Sequence, residues 1–337
     1  MKNKKSRILV TGACGSVGSA LVRQLLENGH TVCAYDQSED GLFKLDQELQ
    51  DVTRGGLRPF LGNIRDEPRL RRALEGVETV FHCAALKHVY VVEYNPFEAM
   101  QTNIEGTNNV IQAAIAANVE RVIFTSSDKA VNPSSTMGAS KLLGERLVVA
   151  ANHYAGNHKT RFSCVRFGNV LNSNGSVLQI FKRQIKNNMP LTITSKNMTR
   201  FFISMDQAVG LCLQASVEMV GGEIFVLSMG SSDIVTLAKV VCGKRPFKYV
   251  EIGAKAGEKL YEELVTESEA PRTAKMGHMY VVLPDTINMM PDETKKMYKK
   301  YKKMPFLKTA LRSDQNLLSH NEVRILLQAA RLLSEQE

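Results

Sequence analysis

The sequence predicts an α/β protein: a Rossmann-like, doubly wound parallel sheet with a smaller mixed α/β module attached. Three observations lead there. Apolar runs of strand length alternate with segments of helical spacing through the first half, a glycine-rich turn joins the first such run to the first helix, and a carboxylate closes the second run. Repeated β-α-β units of this kind require a parallel sheet with helices on both faces.

Taken in order, Arg7-Ile8-Leu9-Val10 is a short apolar run ending at Thr11-Gly12. Residues 16–28 follow with helical spacing, Val17, Leu21, Leu25 and Leu26 sharing one face until Gly29 stops the helix. His30 to Tyr35 makes a second strand closed by Asp36, and 57–61, 78–83 and 121–125 make three more. Helical segments lie between them, notably 96–118, and another at 137–154 follows the fifth strand. In the second half, 191–194, 223–227 and 247–251 read as short strands of the smaller module, with helices around 177–187, 205–219 and 236–241. A last helix, reaching Leu333, begins at a capping Ser319 or Asn321.

The turn Gly12-Ala13-Cys14-Gly15-Ser16-Val17-Gly18 carries the first chemical signal. Its glycines lie between a strand and a helix, where they permit a tight turn and a close approach of backbone N–H groups to a pyrophosphate at the helix N-terminus. Asp36 ends the next strand. A carboxylate there can hold both adenosine ribose hydroxyls and repels a 2′-phosphate, and the flanking Gln37, Ser38, Glu39 and Asp40 offer no cation for one. NAD is therefore expected in preference to NADP. Asn63-Ile64 would pack at the adenine, and Ala84-Ala85-Leu86 would line the nicotinamide side.

Composition narrows the class further. Hydrophobic residues make up 44% and charged residues 23% of 337, as in ordinary globular proteins. No apolar run reaches the ~18 residues of a membrane span. Met1-Lys2-Asn3-Lys4-Lys5 leads into the first strand without a signal-peptide core. A cytoplasmic protein with no stable membrane insertion is expected. The six cysteines are scattered without C-x-x-C spacing and read as buried reduced thiols, with no metal site. The net charge of +9 comes largely from residues 2–7 and from the lysine-rich tract 295–303. That tract reads as a solvated, partly helical connector whose tyrosines offer some stacking surface, without a nucleic-acid-binding signature.

Longer motifs carry a family resemblance. Thr11-Gly12-x-x-Gly15-x-x-Gly18, Ala84-Ala85, Asn103 and the pair Ser126/Lys141 resemble the extended short-chain dehydrogenases/reductases. More narrowly, the chain resembles the UDP-N-acetylglucosamine 4,6-dehydratases of the polysaccharide-biosynthesis branch, in order from about residue 6 to about 283. The motifs are Ala84-Ala85-Leu86-Lys87-His88-Val89, Glu93-Tyr94-Asn95-Pro96, Thr102-Asn103-x-x-Gly106-Thr107, Ser127-Asp128-Lys129-Ala130-Val131-Asn132-Pro133, Arg166-Phe167-Gly168-Asn169-Val170, Met198-Thr199-Arg200-Phe201-Phe202-Ile203 and Gly257-Glu258-Lys259-Leu260.

The resemblance implies a reaction in which the sugar C4 hydroxyl is oxidised, the C5 proton is removed as water leaves C6, and hydride returns to C6. Residue by residue it implies that Asp128 protonates the leaving C6 hydroxyl, Lys129 is the C5 base, Ser127 hydrogen-bonds the C4 hydroxyl and Lys141 binds the nicotinamide ribose. A lysine serves as base only when burial or a neighbouring positive charge makes its proton labile, and Lys141 and the nicotinamide are the two neighbours to consider. Asn103 and Ser126 belong to the cofactor side. Lys87 and Asn169 match positions near the sugar and diphosphate, and Arg200 and Glu258 positions at the diphosphate and ribose. Lys255 stands where the family writes arginine, keeping the charge and losing the fork.

Met137 departs from the common pattern, which places tyrosine there as C4 base. A thioether moves no proton, so Asp128, Lys129 or a water takes the C4 proton. The resemblance also implies division into an NAD-binding part (1–168), a nucleotide-sugar part (169–290) whose segments cross back to the first, and a basic connector with C-terminal helix (291–337). It further implies a homodimer or larger homo-oligomer through the helices at 96–118 and 137–154. Retention of C5, its inversion, a 5,6-ene product and a GDP-sugar substrate stay open. A non-catalytic NAD-binding regulator is the alternative from another class.

Overall fold

In β1 (Arg7–Thr11) neighbouring side chains point to opposite faces: Ile8 and Val10 enter one apolar core and Leu9 the other. A strand buried on both faces reads as a continuous apolar run, which is why a parallel sheet is visible in sequence. The fold comes from a computed structural model that describes residues 5–53, 55–156, 158–290 and 292–333. Lys2 and Lys4 of the basic N-terminal stretch lie outside the described residues.

The chain runs β1, α1 (Ser16–Glu27), β2 (Thr31–Asp36), α2 (Glu39–Thr53), β3 (Leu57–Leu61), α3 (Glu67–Ala73), β4 (Thr79–His82), α4 (Val89–Tyr94) and α5 (Pro96–Ala99). A π-helical segment, Met100–Glu105, leads into α6 (Gly106–Ala116), β5 (Arg121–Ser127) and α7 (Thr136–Tyr154). Then come β6 (Arg161–Phe167), β7 (Asn169–Val170), α8 (Val177–Lys186), β8 (Leu191–Ile193), β9 (Thr199–Ile203), α9 (Met205–Glu218), β10 (Ile224–Leu227), β11 (Ser231–Asp233) and α10 (Ile234–Cys242). The chain closes with β12 (Tyr249–Glu251), β13 (Glu263–Val265), β14 (Thr273–Met276), β15 (Met279–Val282), α11 (Asp292–Met297), β16 (Leu311–Arg312) and α12 (His320–Ala329).

Nine strands form one sheet in the order β14-β15-β10-β6-β5-β4-β1-β2-β3. From β10 to β3 all pairs are parallel, whereas β15 and β14 add an antiparallel edge. The strand order reverses between β1 and β4, and ligands of such sheets bind at the carboxyl ends beside that reversal. Smaller sheets, β11-β9-β7, β12-β8 and β13-β16, build the second module around a core of Leu178, Phe181, Ile193, Leu237, Val323 and Leu327.

Three expectations need correction. Residues 223–227 are not a strand of the small module: β10 pairs in register with β6 inside the large sheet, and α9 packs on β5 and β6. Length and hydropathy do not reveal which sheet a short apolar strand joins. The helix expected over 96–118 is three pieces, interrupted by the π-helical turn that carries Asn103. In the tract 295–303 the tyrosines offer no stacking surface. Tyr298 and Tyr301 are buried and donate hydrogen bonds to Gly221 O and, at 3.1 Å, to Glu223 Oε1, leaving the lysines outside. Both tyrosines fall on the inward side of the turn, where core burial outweighs solvation of a phenol.

Candidate active site

α1 begins at Gly15 without any side-chain cap, so its first N–H groups face an open cavity. Glycine is required here by space. A Cβ on Gly12, whose φ is +66°, would stand 2.6 Å from Ala84 N, and one on Gly18 would stand 2.0 Å from Gly12 O. The turn therefore packs directly against the chain after β4. The cavity, about 770 Å³, is lined by Gly12, Gly15, Ser16, Val17 and Gly18 at this end and by Asp36, Asn63 and Ile64 beside it. Asp36 is held by backbone: Oδ2 accepts from Cys14 N at 2.9 Å and Oδ1 from Ser38 N at 3.0 Å. Burial, and secondarily the Asp36 charge, pushes the Cys14 thiol up to about 12, so Cys14 is a neutral wall of this cavity.

The other end is lined by Ala84, Ala85, Leu86, Lys87, Ser126, Ser127, Lys129, Met137, Lys141 and Asn169. The Ser126 hydroxyl is buried and has no hydrogen-bond partner among the described residues. Lys141, reaching back from α7, is buried; it donates to Thr125 O at 2.8 Å and stands 4.5 Å from the Phe124 ring centre. Burial lowers its pKa to about 8, against the opposing pull of Cys83, Glu145 and Cys164. His82 is also buried, between Thr11 Oγ1 (2.7 Å) and Thr107 Oγ1 (3.1 Å); burial, then the Lys141 charge, drives it down to about 3. It is a neutral core group, in keeping with its apolar strand.

β5 ends in the acid and the amine. Ser127 Oγ donates to Asp128 Oδ1 at 2.7 Å, and Lys129 Nζ donates to the same oxygen at 3.0 Å and to Asn169 Oδ1 at 3.1 Å. Asp128 is fully buried, and its Oδ2 has no hydrogen-bond partner among the described residues. Lys129 and Asn169 line both the large cavity and a second of about 180 Å³, so the two meet at this amine. The second cavity also receives Arg200, Glu258, Lys259 and Glu262. Met137 packs with Val92 and Ala99 in a small apolar cluster and also lines the large cavity.

Several sequence-predicted residues take other posts. Asn103 does not line the cavity. Its Oδ1 accepts from Leu86 N at 2.8 Å, while its Nδ2 donates to Leu86 O at 3.0 Å and to Ser140 Oγ at 2.9 Å. It fixes the backbone that does line the cavity. Lys129 Nζ meets Asp128, Asn169 and Glu262, while Lys141 Nζ donates to Thr125 O. The Arg200 fork is spent on the carbonyls of Thr199 and Lys259, each at 2.8 Å, and of Leu260 at 3.3 Å. Lys255 is exposed outside both cavities, 5.9 Å from the Tyr90 ring centre. Glu258 lines the second cavity and accepts from Lys255 N at 3.0 Å. Lys87 Nζ donates to Asn174 O at 2.9 Å and Ser16 Oγ accepts from Asn174 N at 3.0 Å, so both tie the loop 171–176 to the cavity rim. Sequence reasoning missed that loop and Glu262, since no spacing rule marks either.

A model of a family described as polysaccharide biosynthesis protein matches residues 8–284. The chain is 39% identical over 290 residues to an inverting UDP-N-acetylglucosamine 4,6-dehydratase of Campylobacter jejuni, covering 85% of both chains. It is 37% identical over 335 residues to a UDP-glucose 4-epimerase of Rickettsia bellii, covering 97% of this chain and 94% of that one. Its fold is similar to the X-ray structure of Pen from Bacillus thuringiensis, with a TM-score of 0.90 and 38% identity over 99% of this chain and 100% of that one.

Proposed function

Since this chain belongs to the polysaccharide biosynthesis protein family, we propose that it is a nucleotide-sugar 4,6-dehydratase converting a UDP-N-acetylhexosamine, UDP-N-acetylglucosamine first among them, to the UDP-4-keto-6-deoxy sugar. The observation that carries the reading is the Ser127-Asp128-Lys129 cluster, a fully buried acid between a half-buried hydroxyl and a half-buried amine at which two cavities meet. It pairs an acid with an amine in the place where sugar C5 and C6 would lie.

NAD fits the large cavity. The uncapped α1 N-terminus suits a pyrophosphate, Asp36 the adenosine ribose, Asn63 and Ile64 the adenine, and Ser126 and Lys141 the nicotinamide ribose. Asp36 disfavours the 2′-phosphate of NADP. When bound, the cofactor would supply the redox chemistry by taking hydride from C4 and giving it back at C6.

The residues of the chain manage protons. Moving one proton along the 3.0 Å Lys129–Asp128 hydrogen bond turns an ion pair into a carboxylic acid beside a free amine, with no change in proton count. Those are the two forms that dehydration uses. The amine takes the C5 proton, the carboxyl gives its proton to the departing C6 hydroxyl, and water leaves. Ser127 donates to Asp128 and can turn toward the C4 oxygen. Met137 moves no proton, so O4 must yield its own to water, or to the Asp128–Lys129 pair, which must then pass one proton on to solvent before the amine can take the C5 proton. Asn169 holds Lys129, Lys87 stands at the cavity rim, and Glu258 and Arg200 form the wall of the nucleotide end.

The 4-epimerase relative favours a second reading, in which C4 alone reacts. Incubation with UDP-N-acetylglucosamine in heavy water, followed by NMR, separates the two. Dehydration removes the C6 hydroxyl and places deuterium at C5, and couplings report its configuration. Epimerisation gives the C4 epimer with C5–H intact. No product from any UDP- or GDP-sugar would sink both readings and leave an NAD-binding regulator.

Residues 1–168 would hold the cofactor and 169–290 the nucleotide sugar, with β10, β14 and β15 lent back to the large sheet and 291–337 as connector and last helix. Exposed Tyr94, Phe97, Met100 and Leu143 lie on helices that pack together, a face suited to a second copy of the chain. Phe97→Asp should then lower the mass in solution; a wild-type monomer would refute the oligomer. No helix among the described residues is long and apolar enough to cross a membrane.

A further inference from the structure

Glu262, at the entrance to β13, is 2% exposed, yet three cations converge on it. Its Oε1 lies 3.8 Å from Lys129 Nζ and 3.9 Å from Arg200 Nε, and its Oε2 lies 3.2 Å from Lys259 Nζ. Backbone bonds clamp the residue: Glu262 N donates to Ser313 Oγ at 2.9 Å, and Ser313 N donates to Glu262 O at 2.8 Å. Lys259 Nζ also donates to Val131 O at 2.9 Å and Asn132 O at 3.2 Å, the chain just beyond Lys129. One carboxylate thus ties the proton-transfer turn, β9 and the segment 257–262 together. Without it, Arg200 and Lys259 would have no carboxylate beside them among the described residues and Lys129 would keep Asp128 alone.

We propose that Glu262 is a positioning residue acting through Lys129: its carboxylate holds the amine within reach of Asp128 and Asn169 and keeps the proton on it in the resting site. The inference rests on the reading of Lys129 as the C5 base. The groups facing Lys129 are Asp128 from its own turn, Glu262 from across the cavity and the neutral Asn169 from β7. Those facing Glu262 are Lys129, Arg200 and Lys259. An anion beside an ammonium opposes its deprotonation, so removing the anion makes the amine easier to deprotonate.

The test is Glu262→Gln in the full chain. The titration of Lys129 is followed by NMR of 13C-labelled lysine side chains and assigned by the signal that Lys129→Ala loses. The midpoint should move down, and the acidic limb of the C5-exchange profile should move down with it. A midpoint unchanged in Glu262→Gln overturns the proposal, as does a loss of rate with both midpoints fixed, which would mark a purely structural prop. If Glu262→Gln does not fold, Glu262→Asp, which draws the charge back by one methylene, carries the same test with a smaller downward shift. The titration needs no turnover. A wild-type chain inactive on all nucleotide sugars would therefore fail the dehydratase reading while the midpoint still decides the role of Glu262.

Discussion

Asp36 is a single residue whose role is legible at both levels. In sequence it ends the second strand after a glycine turn; in the structure both its oxygens are fixed by N–H groups, which leaves their remaining lone pairs for ribose hydroxyls. Asp36→Ala should weaken NAD binding by about 1.5–3 kcal/mol, the range for hydrogen bonds to a charged group. It should weaken NADP binding less, as direct titration of both cofactors would show; equal losses would remove the discriminating role. Arg200 shows the opposite case. Its residue type suits a phosphate, but its donors are already engaged by carbonyls, and only the path of the chain around 259–260 decides that. The same holds for Asn103, whose amide reads as a ligand contact until the π-helical turn brings it onto the Leu86 backbone.

At the scale of elements, α1 is predicted and observed within one residue because its apolar face and its glycines are local signals. Gly18 is the most constrained position, its missing Cβ replaced by the carbonyl of Gly12. Gly18→Ala should cost at least about 1–3 kcal/mol of stability, the usual range for overpacking, and should abolish cofactor binding by pushing the turn off its seat. Thermal melting with and without NAD checks both; a variant that melts and binds like the parent would show that the turn yields freely. The spacing predicts one helix over 96–118 because the π-helical turn at Met100–Glu105 keeps the helical spacing nearly intact while shifting one residue of register.

Across the whole molecule, the buried trio Glu145–Arg166–Glu269 joins α7, β6 and the chain beyond β13. Arg166 donates to Glu145 Oε2 at 2.7 Å, to Glu269 Oε2 at 3.0 Å and to Leu264 O at 2.8 Å. Burial works against the Glu269 charge, but Arg166 outweighs it and holds the carboxyl below its ordinary range. A carboxyl lowered on folding adds stability that is fully present above its unfolded value, about 4.3, and is lost as pH falls through the folded value. Glu269→Gln should therefore lower stability at pH 7 by about 1.5–3 kcal/mol and flatten the loss below pH 4.3; an unchanged acid limb in melting against pH would contradict this. The α/β class, the glycine turn, Asp36 and the Ser127-Asp128-Lys129 run are legible in the chain alone, since strand and helix periodicity, turn chemistry and adjacent residues are properties of short stretches. That β10 joins the large sheet, that Arg200 serves the backbone, and that Glu262 faces Lys129 from 133 positions away emerge only on folding. Such contacts arise from how distant segments pack, and a carboxylate's partners are set by the space it is buried in.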